Sequence, residues 1–578
     1  MALITQKKKV NMYFNNKGEE EVTYDAIVVG SGISGGWAAK ELCEKGMKTM
    51  VLERGRMVKH GDYPTANLED WEMKNRGKLT KEELKDYEKN HRTGYTTDRA
   101  YIHQWPKDTE HPYTEDKPFD WIRSYQVGGR SLLWGRQSYR WSDLDFEANA
   151  KEGIAVDWPI RYKDIAPWYD KVESFIGVSG QKAGLPHLPD GIFQKPMELN
   201  CIEKEVAARI KENYNDRMMM IGRSANITEP IGTRGSCQSR NRCMRGCPYG
   251  AYFSSNSSTL PAAEATGNLT IRPWSIVMEL IYDDKTQKAK GVRIKDAESG
   301  EIKEYFAKVI FLCASAFGST WIMMNSKSER FPNGFGNDSG ELGHNVMDHH
   351  FRLGASGKSE KFADQYFKGR RPNGIYVPRF QNIDSKTKRK DYLRGFGYQG
   401  GGSRAGWWRN VAEADFGADY KKAVTSSPGD WSMGLMGFGE CLPYHENRIY
   451  LNEDVKDIHG LPTLTMDAEW KDNEYAMRKE MMSAAAEMLE RAGLKNVKEY
   501  DRGCNPGLGI HEMGTARMGR DPKTSVLNGN NQVHAATNVY VTDGAAMTSA
   551  ACVNPSLTYM ALTARAVDHA VSDLKKNG

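Results

Sequence analysis

No apolar run in this sequence approaches the eighteen or so residues that a membrane-spanning helix needs, so a transmembrane helix is excluded. The opening stretch, MALITQKKKVNMYFNNKGEEEVTYDAIVVG, is basic but has no apolar segment before the first strand and no twin arginine. No secretory signal is therefore expected in it. Neither sign of charge dominates: the net charge is +5 over 578 residues, with basic and acidic residues interspersed. That balance gives no case for a nucleic-acid partner. Cysteine is sparse and odd in number, nine in all, which does not suit a disulfide scaffold. No internal repeat or low-complexity tract stands out. Glycine is plentiful, 56 residues and many of them clustered, as expected where backbone approaches a ligand closely. With 39% hydrophobic and 27% charged residues, the chain has the composition of a large globular protein.

Residues 24–53 read as strand, tight turn, helix and strand. The turn Gly30-Ser31-Gly32-Ile33-Ser34-Gly35 fits G-x-G-x-x-G. Its first glycine makes the turn, the second lets backbone N–H groups approach a pyrophosphate, and the third allows close helix–strand packing. Glu53 ends the second strand, 23 residues after Gly30, where an acid accepts hydrogen bonds from an adenosine ribose. The motif does not itself choose between FAD and NAD. A β-meander over 268–313 and a late strand ending in Asp543-Gly544 both favour FAD. The glycine-rich, aromatic stretch 124–140 reads as a loop over a ligand. Residues 60–118 are polar and weakly periodic. Helices are expected at 157–176, 199–214, 314–325, 473–493 and 555–575, and an antiparallel sheet over 350–470.

The fold class that follows is mixed α/β. A Rossmann-type FAD-binding domain comprises 20–58, 120–150, 225–345 and 500–578, with an insertion or lid at 59–119. An antiparallel-sheet substrate domain comprises 151–224 and 346–499.

Alcohol oxidation needs a base for the hydroxyl proton while hydride leaves carbon, and a histidine near its ordinary pKa suits that role. His511 in GIHEMGTARMG and Asn554 in CVNPSLTYMALTARA are the candidates. Asn554 stands just before a helix whose free N–H groups carry partial positive charge. An asparagine there bonds the substrate oxygen. His511-Glu512 is half of the zinc-protease pattern H-E-x-x-H, but Thr515 stands where the second histidine is required.

The stretches VVGSGISGG, VGGRSLLWG, CASAFGST, GHNVMDHH, HEMGTARMG and VTDGAAMTSAACVNPSLT occur in this order and resemble the glucose–methanol–choline (GMC) oxidoreductases. The resemblance implies an FAD domain, a substrate domain on an antiparallel sheet, and a catalytic histidine paired with asparagine, at His511 and Asn554. It places Gly128, Gly129 and Ser131 on a flavin-covering loop. Asn345 and Asp348 fall in a further motif of the family.

Cys237, Cys243 and Cys247 read C-x5-C-x3-C-P, three soft ligands within eleven positions. Zinc and a disulfide are the rivals. Zinc wants four ligands and usually a C-x2-C pair, while a disulfide leaves one cysteine over. No fourth ligand is evident nearby, with Cys201 and Cys504 as distant candidates. The spacing resembles that of bacterial FAD-dependent sugar dehydrogenases that hold a [3Fe–4S] cluster. That resemblance implies electron flow from sugar through FAD and the cluster to a cytochrome or similar acceptor. It also implies a small partner subunit carrying the export signal, and so a periplasmic location; without one the chain stays cytoplasmic.

The whole pattern looks most like a glucoside 3-dehydrogenase, so oxidation at C3 of a glucoside is the preferred reading. Glucose C1 and gluconate C2 remain open, as does a flavin oxidase with structural cysteines. The cluster GFGYQGGGSRAGWWRN offers Gln399, Arg404, Trp407 and Trp408 as sugar contacts.

Overall fold

The structure, a computed structural model, describes residues 23–577 except 95–97, 367–371, 373, 405–415 and 427–428. Its first sheet is built on the buried strand Tyr24–Val29. This strand pairs in parallel with Thr49–Leu52 on one side and Ile302–Leu312 on the other. Leu269–Arg272 and Ala536–Val541 extend the sheet in parallel at either side. Its strands read as continuous apolar runs because both faces are covered. The helices Ile33–Glu44 and Ser556–Asn577 bring Ala38, Leu42, Ala566 and Val567 against Ala26, Val28 and Phe311. On the opposite face Ile27, Ile310 and Leu312 share a core with Phe317, Val277 and Val292.

The meander is narrower than the sequence pattern suggests. Ser275–Asp283, Lys288–Asp296 and Ile302–Leu312 are its antiparallel strands. Leu269–Arg272 pairs instead with Thr49–Leu52 as an edge of the parallel sheet. The first helix also starts earlier than its composition indicates, at Ile33, within the glycine turn.

A second sheet runs in the order Lys495–Asp501, Leu353–Ser359, Trp431–Glu440, Phe396–Arg404, Ile375–Val377 and Met220–Ile221. All of these pairings are antiparallel. Along Trp431–Glu440 burial alternates with period two. Trp431, Met433 and Leu435 pack under the helices Cys201–Asn213 and Asp472–Arg491. The intervening Met436 and Phe438 face a cavity between the two sheets. The region 350–470 is not one sheet. Arg448–Lys456 and Pro462–Asp467 form a hairpin that pairs with Thr114–Glu115 in a small separate sheet.

The described part of 60–118 holds short helices, among them Lys81–Lys85, capped by Thr80, and Glu88–Arg92. Arg92 pairs within it with Glu115 and ties it to the following chain through Asp120. Among the described residues no helix is long and apolar enough to cross a membrane.

Candidate active site

The four central parallel strands end together, and the residues just past their carboxyl ends are Gly30, Glu53, Cys313 and Asp543. Ligands of open α/β sheets bind at such a crevice. Here it opens into a cavity of about 810 Å³ that reaches from Glu53 to His511 and Asn554.

At one end, Gly30 adopts φ 92°, which only glycine takes readily. Glu53 is 6% exposed and ties the turn to the second strand. It accepts from Ser31 N at 3.1 Å, Ser31 Oγ at 2.5 Å and Gly55 N at 3.1 Å. Burial pushes its carboxyl up, and the Ser31 and Gly55 bonds oppose that shift. The turn also meets the loop at 128–132, since Gly128 N donates to Ser31 Oγ at 2.9 Å. Ser131 closes that loop by donating to Gly128 O at 2.5 Å and accepting from Ser255 N at 3.0 Å. Gly129 and Ser131 line the cavity and Gly128 lies behind them. Asp543 accepts from Ser319 Oγ at 2.5 Å and Ala545 N at 3.0 Å, and burial pushes its carboxyl up to about 6. Gly544 lies beside it on the cavity wall.

At the other end, a single short segment fixes His511. Met347 and Met513 exchange backbone hydrogen bonds at 3.0 Å. Asp348 then accepts from the backbone N–H groups of Gly507 (2.9 Å), Gly509 (2.8 Å) and His511 (3.1 Å). Next along the chain, His349 Nδ1 stands 3.0 Å from His511 Nδ1. Burial, then the neighbouring His349 and Arg130, hold the His511 imidazole well below the ordinary histidine range, so it is neutral near pH 7. Its other nitrogen, Nε2, is left toward the cavity that His511 lines.

Asn554, half-buried on the same wall, accepts at Oδ1 from Gln399 Nε2 at 2.8 Å. Its amide nitrogen is thereby turned to the cavity. The helix Ser556–Asn577 starts immediately after, with Ser556 and Tyr559 on the cavity wall. The imidazole of His511 and the amide nitrogen of Asn554 thus line one cavity, a ring able to take a proton and a donor able to bond an alcohol oxygen.

Two participants were not singled out in the sequence. Arg130 forms a bidentate pair with Glu512, at 3.0 and 2.9 Å, on the cavity wall. His349 was visible only as part of the GHNVMDHH stretch, whose side-chain roles no spacing rule reveals. Of the proposed sugar contacts, Gln399 lines the cavity. Arg404 instead donates to Gly429 O and Gln365 O, at 2.9 and 2.7 Å. Trp407 and Trp408 lie outside the described residues.

The cysteine loop borders the same cavity. Its short turn Cys243–Arg245 packs against the turn Gly129–Leu132, and Cys243, Met244 and Arg245 line the cavity. Ser239 and Asn241 adopt φ 50° and 57°, a strained conformation for non-glycine residues. Three arginines clamp the loop to the 66–70 segment: Arg240 to Ala66 O (2.7 Å), Arg245 to Asp70 (2.6 Å), and Arg242 to Glu69. The three Sγ atoms do not converge within 4.8 Å as they would around a single ion. They still act on one another. Burial pushes the Cys237 thiol up, the Ser239 amide opposes this, and the charges of Cys243 and Cys247 add to it. Cys504 is engaged elsewhere, donating to Phe351 O at 3.3 Å, and Cys201 starts a helix of the second sheet's outer layer.

The cavity fits an FAD. Glu53 stands where an adenosine ribose would be held, Gly32 leaves open space over the helix start, and the buried Tyr559 hydroxyl has no partner among the described residues. Comparison with known proteins agrees. Among relatives, a 2-methyl-1,2-propanediol dehydrogenase of Mycolicibacterium austroafricanum is 28% identical, over 94% of each chain. The fructose dehydrogenase large subunit of Gluconobacter japonicus is 24% identical, over 96% of this chain and 99% of that one. The gluconate 2-dehydrogenase flavoprotein of Pantoea cypripedii is 24% identical, over 93% and 92%. The fold matches the solved Aspergillus oryzae formate oxidase with a TM-score of 0.60 at 14% identity, over 96% of this chain and 100% of that one. Residues 24–351 and 443–563 match the N- and C-terminal family models described as GMC oxidoreductase. The chain belongs to the GMC oxidoreductase family, FAD-dependent enzymes that oxidise CH–OH groups.

Proposed function

We propose that this chain oxidises a secondary hydroxyl of a sugar or glycoside, preferably C3 of a glucoside, and delivers the electrons singly to an external acceptor such as a cytochrome. The observation that carries the reading is that one cavity holds both the His511–Asn554 pair and the wall formed by Cys243. FAD, when bound, supplies two-electron acceptance, and an iron–sulfur cluster, when bound, supplies one-electron release.

The residues of the chain do the rest. Asn554 Nδ2 donates to the substrate oxygen and holds the hydroxyl against His511. His511 Nε2 takes the hydroxyl proton as the C–H bond breaks and its electron pair leaves as hydride, so the C–O bond becomes a carbonyl. Gly30, Gly32, Gly35, Glu53, Gly128, Gly129, Ser131, Asp543 and Gly544 shape the FAD site. Cys237, Cys243 and Cys247 would hold a cluster of [3Fe–4S] type. Met436 and Phe438, with Gln399, form an apolar and amide wall suited to a sugar face.

The sugar class draws support from the relatives named fructose dehydrogenase and gluconate 2-dehydrogenase, and the C3 position from the motif pattern. The relative named a large subunit supports a smaller partner, which in this reading carries the chain to the periplasm.

Incubation with methyl glucoside, glucose, lactose, fructose and gluconate, followed by NMR of the products, tests the regiochemistry. A 3-keto glycoside is the expected product, and oxidation only at another carbon overturns that part. Iron content and an EPR signal from the oxidised protein test the cluster. Cys237→Ser should still bleach its flavin with sugar but reduce cytochrome c far more slowly. An iron-free wild-type protein, or a C237S variant that reduces cytochrome c at the wild-type rate, refutes it.

A further inference from the structure

We propose that His349 is a positioning residue that fixes the tautomer of His511, holding its Nε2 bare and ready to accept the substrate proton. The inference rests on the assignment of His511 as the base.

The argument follows one line of hydrogen bonds. His349 is 1% exposed and sits on the short strand His349–His350, which pairs with Gly439 and Glu440 of the second sheet. Its Nε2 is 2.8 Å from the carbonyl oxygen of Ala551. A carbonyl oxygen only accepts, so that nitrogen carries the hydrogen. Burial brings the His349 imidazole down to about 4, so the ring is neutral at working pH and its Nδ1 presents a lone pair. That lone pair lies 3.0 Å from His511 Nδ1, with the rings crossed at 86°. Two bare nitrogens at that distance repel, so His511 Nδ1 carries the hydrogen and donates it. A neutral imidazole has one hydrogen, which leaves Nε2 bare.

The anchor of this line is itself constrained. Ala551 holds φ 55°, a left-handed conformation that a non-glycine residue seldom adopts, and its carbonyl precedes Asn554 by three residues. The chain segment that presents Asn554 therefore also orients His349. Asp348, adjacent to His349, holds the His511 backbone amide at 3.1 Å. Backbone position and ring tautomer of the base are thus both set from the 348–349 dipeptide. A carboxylate in place of His349 would fix the same tautomer but also raise the affinity of His511 for a resting proton. The neutral ring fixes the tautomer without that cost.

The direct test is nitrogen NMR of the FAD-loaded enzyme carrying 15N-histidine, with the His511 signals assigned by their loss in His511→Ala. The wild type should show a protonated Nδ1 and a bare Nε2 at His511. His349→Leu should lose that pattern and slow anaerobic flavin bleaching by roughly 10- to 100-fold, the loss of one hydrogen bond to a group that becomes charged, with the apparent KM little changed. Bleaching is measured with methyl glucoside, or with fructose or gluconate where that sugar bleaches the wild type. His349→Asn, whose Oδ1 takes the place of Nδ1, should restore most of the rate. A wild-type His511 protonated at Nε2 overturns the inference, whatever the variants do. So does a His349→Leu variant that bleaches at the wild-type rate, or a His349→Asn variant as slow as His349→Leu. Undiminished bleaching by His511→Ala would instead refute the base assignment beneath it.

Discussion

Replacing Gly32 with alanine, and separately Gly35, distinguishes a glycine kept for the cofactor from one kept for the fold. At Gly35 an added Cβ would lie 1.9 Å from Gly30 O and 2.7 Å from Gly30 C. Both are backbone atoms of the same turn, so the helix must move away from the strand. Overpacking of that kind costs about 1–3 kcal/mol. At Gly32 the nearest atom to an added Cβ is Gly128 O at 4.0 Å, and the residue's φ of −70° is open to alanine. Alanine there gives up a favourable N-cap glycine but narrows the unfolded chain, so the FAD-free fold should change by about 0.5 kcal/mol or less. In the proposed FAD site, the space it fills is where backbone N–H groups would approach a pyrophosphate. Losing one charge-assisted bond there costs about 1.5–3 kcal/mol, roughly a 10- to 100-fold weaker FAD affinity. The assays are thermal unfolding of FAD-free protein and FAD titration by quenching of flavin fluorescence. G35A should lower the melting temperature with or without FAD, and G32A should lower only FAD affinity. A G32A variant that binds FAD like the wild type would refute the placement of the pyrophosphate. One that destabilises the FAD-free protein as much as G35A would refute the geometry of the turn.

Asp348 predicts a pH dependence. Burial first, then the charge of Glu512, push its carboxyl up to about 7, against an unfolded value of about 3.9. The native state keeps this proton to higher pH than the unfolded state does, so its contribution to stability is full below about pH 4 and is lost as pH rises through about 7. Denaturant midpoints between pH 4 and 8 should fall less steeply for Asp348→Asn, with Asp543 and Glu440, pushed up to about 6 and 7, leaving a residual slope. Gln399→Leu frees the Asn554 amide to turn and should lower the flavin-reduction rate about 2- to 10-fold without changing FAD content, as read by stopped-flow absorbance. Arg130→Leu leaves Glu512, whose side chain is 2% exposed, without its bidentate partner and should cost about 3–5 kcal/mol in urea unfolding. Adding Glu512→Gln should recover part of that loss, and no recovery would contradict the ion pair as its cause.

Most of the parallel sheet was legible because Tyr24–Val29, Thr49–Leu52 and the ends of Ile302–Leu312 and Ala536–Val541 are apolar runs, and because Gly30 and Glu53 carry their meaning in spacing alone; Leu269–Arg272, LTIR, has no such run and read as part of the meander. The helices Asp472–Arg491 and Ser556–Asn577 were legible from period and from the proline before the second. The strand Lys495–Asp501 was not. Its sequence, KNVKEYD, has one face turned to solvent at the sheet's edge and no apolar alternation to announce it. The hairpin of Arg448–Lys456 and Pro462–Asp467 escapes its own sheet in the sequence because Thr114–Glu115, which pairs with Pro462–Asp467, is more than 300 residues away. In the site, His511 and Asn554 stood out by motif, but what orients them did not. His349 and Gln399 act through single hydrogen bonds across 162 and 155 residues, and no local pattern encodes such a pairing.

The two sheets make distinct contributions to the cavity, and the difference follows from their architecture. The parallel sheet ends in loops whose backbone amides and buried acids suit a ligand of fixed shape, and those loops are braced against each other: Ser31 holds Glu53 and Gly128, and Ser131 holds Gly128 and Ser255. The antiparallel sheet instead presents alternate side chains, Gln399, Met436 and Phe438, from strands whose other face is sealed under two helices. Side chains on such a face change without disturbing the backbone. The proposed catalytic pair belongs to neither surface alone. His511 is held through Asp348 and His349 at the edge of the second sheet, while Asn554 precedes the helix that covers the first. The spacing of His511 and Asn554 is therefore set at the seam, where a shift of either sheet changes it.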